Sequence, residues 1–158
     1  EDRATRTATR ARAALVRAMI EYWIDDYHDR LITKLTGQSA DPAAAMRDYL
    51  DFLMVESLAL RGRAFWNYVW SLADLDADVS AALTQFMTLY RSLFALLIRR
   101  VNSALSEREA LRLAAALSSM IDGIGSVVGE GRPTDADLAG IEDMVKSLAF
   151  RIAVEVPR

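Results

Sequence analysis

The chain has no cysteine, which excludes a disulfide framework and a thiolate metal site. Its one histidine, His28, excludes three further kinds of chemistry. A di-iron bundle needs Glu-x-x-His pairs on several helices, and neither a histidine zinc site nor a Ser-His-Asp triad can be assembled around this residue. His28 sits at the edge of an apolar stripe and reads as structural. The alternation of polar and apolar residues that marks a half-buried strand persists nowhere, so no glycine-rich phosphate loop can follow a strand. No run approaches the roughly 20 uninterrupted apolar residues of a membrane span. The start, Glu1-Asp2-Arg3, does not resemble a secretory leader. These absences lead us to expect a soluble, cytoplasmic protein that is not an enzyme and carries no metal or cofactor. With no initiator methionine, the chain is also expected to be a piece of a longer one.

A surplus of positive charge is missing as well. The net charge of −3 gives no overall reason for nucleic-acid binding. Basic character is local: Arg3, Arg6, Arg10, Arg12 and Arg17 stand against Glu1 and Asp2. Of these, Arg3, Arg6, Arg10 and Arg17 share a helical face that suits either solvent or phosphate.

What is present is apolar and periodic. At 158 residues and 53% hydrophobic composition, the chain suffices for one domain with one core. A helical period recurs almost from end to end, so the expected fold is all-α, a bundle of about six helices. The first, about 8–36, places Val16, Ile20, Trp23, Tyr27, Leu31 and Leu35 on one stripe and stops at Gly37. The second starts at Asp41-Pro42, with Met46, Tyr49, Leu50, Leu53 and Leu60 inward. A short third, about 63–74, carries Phe65, Trp66, Tyr68, Val69 and Trp70 around its circumference. The fourth follows the Asp76–Asp78 corner and repeats from Val79 to Leu105. The fifth opens on the capping box Ser106-Glu107-Arg108-Glu109 and runs to about Val128. The last begins at Thr134 and Asp137, with Leu138, Ile141, Val145, Leu148 and Ile152 in a coiled-coil-like seam.

The fifth helix has two unlike faces. Leu113, Leu117, Met120, Ile124 and Val128 are large, whereas Ala115, Ser118, Asp122, Gly125 and Gly129 are small or polar. A mid-helix glycine costs about 1 kcal/mol relative to alanine, so Gly123 and Gly125 imply that another helix needs the space. The last helix also has apolar residues outside its seam: Met144, Ala149 and Phe150. The final two helices are therefore expected to form a four-helix interface with a second copy. A hydrogen bond from Asp122 across that interface is part of the expectation.

The order of six helices, with Leu117-Ser118-Ser119-Met120-Ile121-Asp122-Gly123-Ile124 on the fifth, resembles the C-terminal half of TetR-family transcriptional regulators. The resemblance implies a ligand-sensing and dimerising domain of a repressor. Residues 1–13 contain nothing like the family's helix-turn-helix, so contact with DNA is implied only through a headpiece outside this sequence. It also implies a mostly apolar ligand cavity among the helices. Candidates to line it are Trp23, Tyr27, Phe52, Trp66, Trp70, Phe86, Tyr90 and Phe94, each of which equally fits plain core packing. Glu56 projects between Phe52 and Leu60, where a carboxylate must find a partner. It fits an anchor for a small hydrophobic or cationic ligand, or a salt bridge to Arg61 or Arg63. A stand-alone protein-binding module, using the aromatic third helix, is the alternative function. Asp25-Asp26-Tyr27-His28-Asp29 matches the DDxxD pattern of terpene synthases in form only. The chain is about half their length and has no second metal motif.

Overall fold

The computed structural model describes residues 3–36, 41–132 and 135–155; of residues 3–10, 13, 27, 28, 31, 32 and 34–36 it describes the backbone alone. The fold is all-helical. Six α-helices follow one another as α1 (Arg3–Thr36), α2 (Pro42–Leu58), α3 (Leu60–Ala73), α4 (Ala77–Val101), α5 (Glu107–Ile124) and α6 (Ile141–Glu155).

The helix starts follow local chemistry. Asp41 accepts a hydrogen bond from the Ala43 amide at 2.9 Å, and Pro42, which needs no amide partner, takes the first turn. Asp76 Oδ1 accepts from the Asp78 and Val79 amides. Ser106 and Glu109 form the expected capping box, each side chain bonding the other's backbone amide. Thr134 lies outside the described residues. Asp135 caps a short 3₁₀ turn, Ala136–Leu138, and α6 begins only after Gly140, whose φ of 78° suits glycine. Leu138 is thus off the last helix, and its place in the seam is corrected.

Packing explains where the boundaries moved. α4 is central, touching α1, α2, α3, α5 and α6. It buries Val79, Leu83, Phe86, Tyr90, Phe94, Leu97 and Ile98, and ends at Val101 with Asn102 as its cap rather than reaching Leu105. By length and composition α4 could cross a membrane, with a mean hydropathy of 1.4 over its most apolar window. It contains no unbroken apolar run of the length the sequence-based criterion asked for, being interrupted at Asp78, Gln85 and Arg91 among others. Here its apolar residues supply the bundle's interior.

α2 does not continue to Leu60. It breaks at Ala59, and the freed Leu58 carbonyl accepts from the Glu130 amide at 3.0 Å. Glu130 Oε2 in turn accepts from the Leu60 amide at 3.1 Å, capping α3. The partner of this break is the turn following α5, which ends at Ile124 and not Val128. At Gly125 a Cβ would stand 2.2 Å from the Ser57 carbonyl oxygen, and at Gly129 2.8 Å from that of Leu58. Gly129 also has φ 122°, so two separate constraints ask for glycine there.

Candidate functional site

The aromatic residues of α1, α3 and α4 meet in a chain. The Trp23 ring stacks on Phe65 (5.9 Å between centroids) and meets Trp66 edge-on at 6.0 Å. Trp66 stacks on Phe86 at 4.6 Å, and Phe86 on Tyr90 at 6.1 Å. Helical spacing makes this possible, because Phe86 and Tyr90 are one turn apart on the same face of α4.

Along this chain lies a cavity of about 170 Å³ bounded by all of the first five helices. Of the expected ligand-binding residues, Trp23, Glu56, Trp66, Trp70, Phe86 and Tyr90 line it. Leu53, Ser57, Arg63, Asn67, Met87 and Asp122 complete the wall. Phe94 does not reach it. It is fully buried against Tyr49 at 5.0 Å and belongs to the core, so its assignment as a ligand residue is corrected. Phe52 is likewise absent from the wall, stacking on Tyr49 at 6.4 Å beneath the Arg30 guanidinium. The Tyr27 side chain is outside the described residues.

Two carboxylates reach the cavity, and their electrostatics differ. Glu56 accepts a hydrogen bond from Arg30 at 3.1 Å, and the same guanidinium pairs with Asp26. The partner of Glu56 is therefore an arginine on α1 rather than Arg61 or Arg63. Burial works against the charge on Arg30, but hydrogen bonds to Glu56 and Asp26 outweigh it and leave its pKa raised. Arg63 instead donates to backbone, to the Glu130 carbonyl at 2.6 Å and more weakly to that of Leu58.

Asp122 has only a long hydrogen bond from Ser57 Oγ, at 3.4 Å. Among the described residues no lysine or arginine forms an ion pair with it. Asp122 is an exposed residue at the cavity wall, yet protein crowding around its carboxyl pushes its pKa up to about 6 by desolvation, against smaller opposing effects from Ser57 and Arg91. The Tyr90 hydroxyl is pushed well above its ordinary range by burial, then by the nearby charge of Asp122.

Part of the small side of α5, at Ser118 and Gly125, is buried within this chain, and Gly125 packs against α2. Ser118 is 2% exposed and donates to the Ala115 carbonyl. Gly125 is buried against Ser57. Gly123, by contrast, has nothing within 4 Å of where a Cβ would stand. On α6, Val145 is buried and Ile141 partly so, while Leu148 is 37% and Met144 62% exposed. The sequence reading missed Arg63 and Ser57 in the cavity wall. The signal for Ser57 was its adjacency to Glu56, and for Arg63 its naming as a possible partner of Glu56.

A larger groove of about 390 Å³ lies between α2 and α6. Its charges satisfy one another. Lys146 Nζ stands 2.9 Å from both Asp51 and Asp143, and Arg47 lies 4.2 Å over the Phe150 ring. The smaller, more aromatic cavity is the better candidate site, since it joins apolar walls to a carboxylate, Asp122, that forms no ion pair among the described residues.

No family model, curated protein or solved structure matches the chain.

Proposed function

We propose that this chain is a small-molecule-sensing and dimerising domain of a TetR-like transcriptional repressor, with DNA contacted through a headpiece outside this sequence. One observation carries the reading: a cavity walled by all three tryptophans of the chain, bounded by five helices, with a carboxylate, Asp122, that forms no ion pair among the described residues. A concavity that joins apolar aromatic walls to an accessible carboxylate at its rim suits a bound small molecule. Occupancy would favour one setting of α1, which supplies Trp23, and thereby the spacing of the attached DNA heads. A cytoplasmic location accompanies this role.

Dimerisation draws support from apolar residues left exposed on α6, Met144 and Leu148, and from the open space at Gly123 on α5. The alternative of a protein-binding module is less well supplied. Phe65 and Trp66 turn inward, and Trp70 is the bulky α3 aromatic left about half exposed.

A panel of small apolar compounds, followed by tryptophan fluorescence and thermal shift, tests the sensor. We expect a saturable site, one per chain. A panel with no saturating member removes the proposal, and sedimentation as a monomer at micromolar concentration removes its dimeric half.

A further inference from the structure

Resting on the sensor reading, we propose that the cavity's ligand is a compact organic cation, an aromatic or alkyl amine, whose ammonium group sits at Asp122 and whose apolar body lies among the tryptophans. Three observations lead there.

The first is the unequal state of the two carboxylates. Glu56 already faces the guanidinium of Arg30, so its charge is spent within the protein. Asp122 has a single hydroxyl donor at 3.4 Å. Asp122 lines the cavity at an exposed position and forms no ion pair among the described residues, so a cation that arrives with the ligand can reach it. The second is the sign of the alternatives. An anion would meet both carboxylates. Arg63, the cation on the wall, is already engaged with two backbone carbonyls. The third is the aromatic wall. Trp70 lines the cavity, is 49% exposed and has no ring partner among the described residues. An exposed indole on the same wall as a carboxylate suits a ligand that is part cation and part apolar body.

Size narrows the class. A volume of about 170 Å³ falls below the roughly 300–1,000 Å³ of drug-sized sites, so one ring or a short chain fits.

The groups facing Asp122 set its pH behaviour: Ser57 and Glu56 from α2, Arg63 from α3, and Tyr90 and Arg91 from α4. Burial raises the Asp122 carboxyl to about 6. Protonation there removes the anchor, so cation binding weakens as pH falls through that value. The bound amine, favouring the charged carboxylate, shifts the midpoint lower in the complex.

The test uses 2-phenylethylammonium, its neutral analogue 2-phenylethanol and the anion 3-phenylpropanoate, titrated into the intact chain with tryptophan quenching and calorimetry. At a pH of about 8 the ammonium should bind one per chain, about tenfold or more tighter than the alcohol. Asp122→Asn, which keeps shape and hydrogen bonding, should bring cation and alcohol to about the same affinity, while Asp51→Asn, in the separate groove, leaves the preference intact. Independently of any variant, the preference in the unmodified chain should decline below a pH of about 6. Alcohol or anion binding as tightly as the cation overturns this inference and leaves the sensor reading standing. Failure of all three probes to saturate overturns the inference and counts against the sensor as well.

Discussion

α2 serves two concavities, and they treat charge in opposite ways. Towards α6 it presents Arg47 and Asp51 to a groove in which Lys146 bridges two aspartates near solvent. Such pairs cost little to form and contribute little. Towards α1, α3 and α5 it presents Glu56 and Ser57 to an aromatic cavity. There Glu56 is matched by Arg30, whereas Asp122 is left with a long hydroxyl contact. The larger space is chemically complete, and the smaller one is not. Incompleteness, more than volume, marks a place where a ligand has something to supply.

The largest effect should come from disturbing the contact that brings α5 against α2. Gly125→Ala puts a methyl group 2.2 Å from the Ser57 carbonyl oxygen, so we expect a loss of about 1–3 kcal/mol by urea denaturation, as in other overpacked sites. Gly123→Ala, with nothing near it, should be neutral or stabilise by up to about 1 kcal/mol. Equal costs for the two would contradict the close approach of α2 and α5.

The second effect is a pH dependence with an unusual sign. Asp122 is raised from an ordinary 3.8 to about 6 in the folded state, so between those values the native chain holds more protons than the unfolded one. This group's contribution to stability therefore falls as pH rises from about 4 to 6 and levels off above that. Asp122→Asn should be more stable than the parent at a pH of about 8, with the gap closing on acidification. Glu109 runs the other way. Its hydrogen bonds to Ser106 lower its pKa, so its contribution is present above the ordinary glutamate range and lost as pH falls through the lowered value. Urea midpoints measured across this range for parent and Asp122→Asn separate the two, and a constant gap would remove the raised carboxyl from the account.

The smallest effect belongs to the groove. Asp51→Asn breaks one of two exposed bridges to Lys146 and should cost less than about 1 kcal/mol, declining further with added salt. A larger loss would mean that the two concavities differ less than their geometry implies.

Much of the fold was legible because capping and periodicity are local. Asp41-Pro42, Asp76 and Ser106 with Glu109 start their helices by satisfying amides within a few residues. The stripe of α4 reads as buried because its apolar residues recur every three or four positions. The site was legible in part. Six aromatic or acidic candidates line the cavity, yet Phe94, at the same spacing as Phe86 and Tyr90, lies in the core beside Tyr49. Position along one helix cannot tell a wall from a floor.

The sequence alone determined the helical elements, most of their starts, and the chemistries ruled out by one histidine and no cysteine. Tertiary packing decided the rest, for reasons that lie in distances across the chain. It chose Arg30 for Glu56, 26 residues away. It broke α2 at Ala59 by supplying Glu130 to the freed backbone groups. It also placed Asp122 on the wall of the aromatic cavity, because Gly125 lets α5 come close to Ser57 of α2.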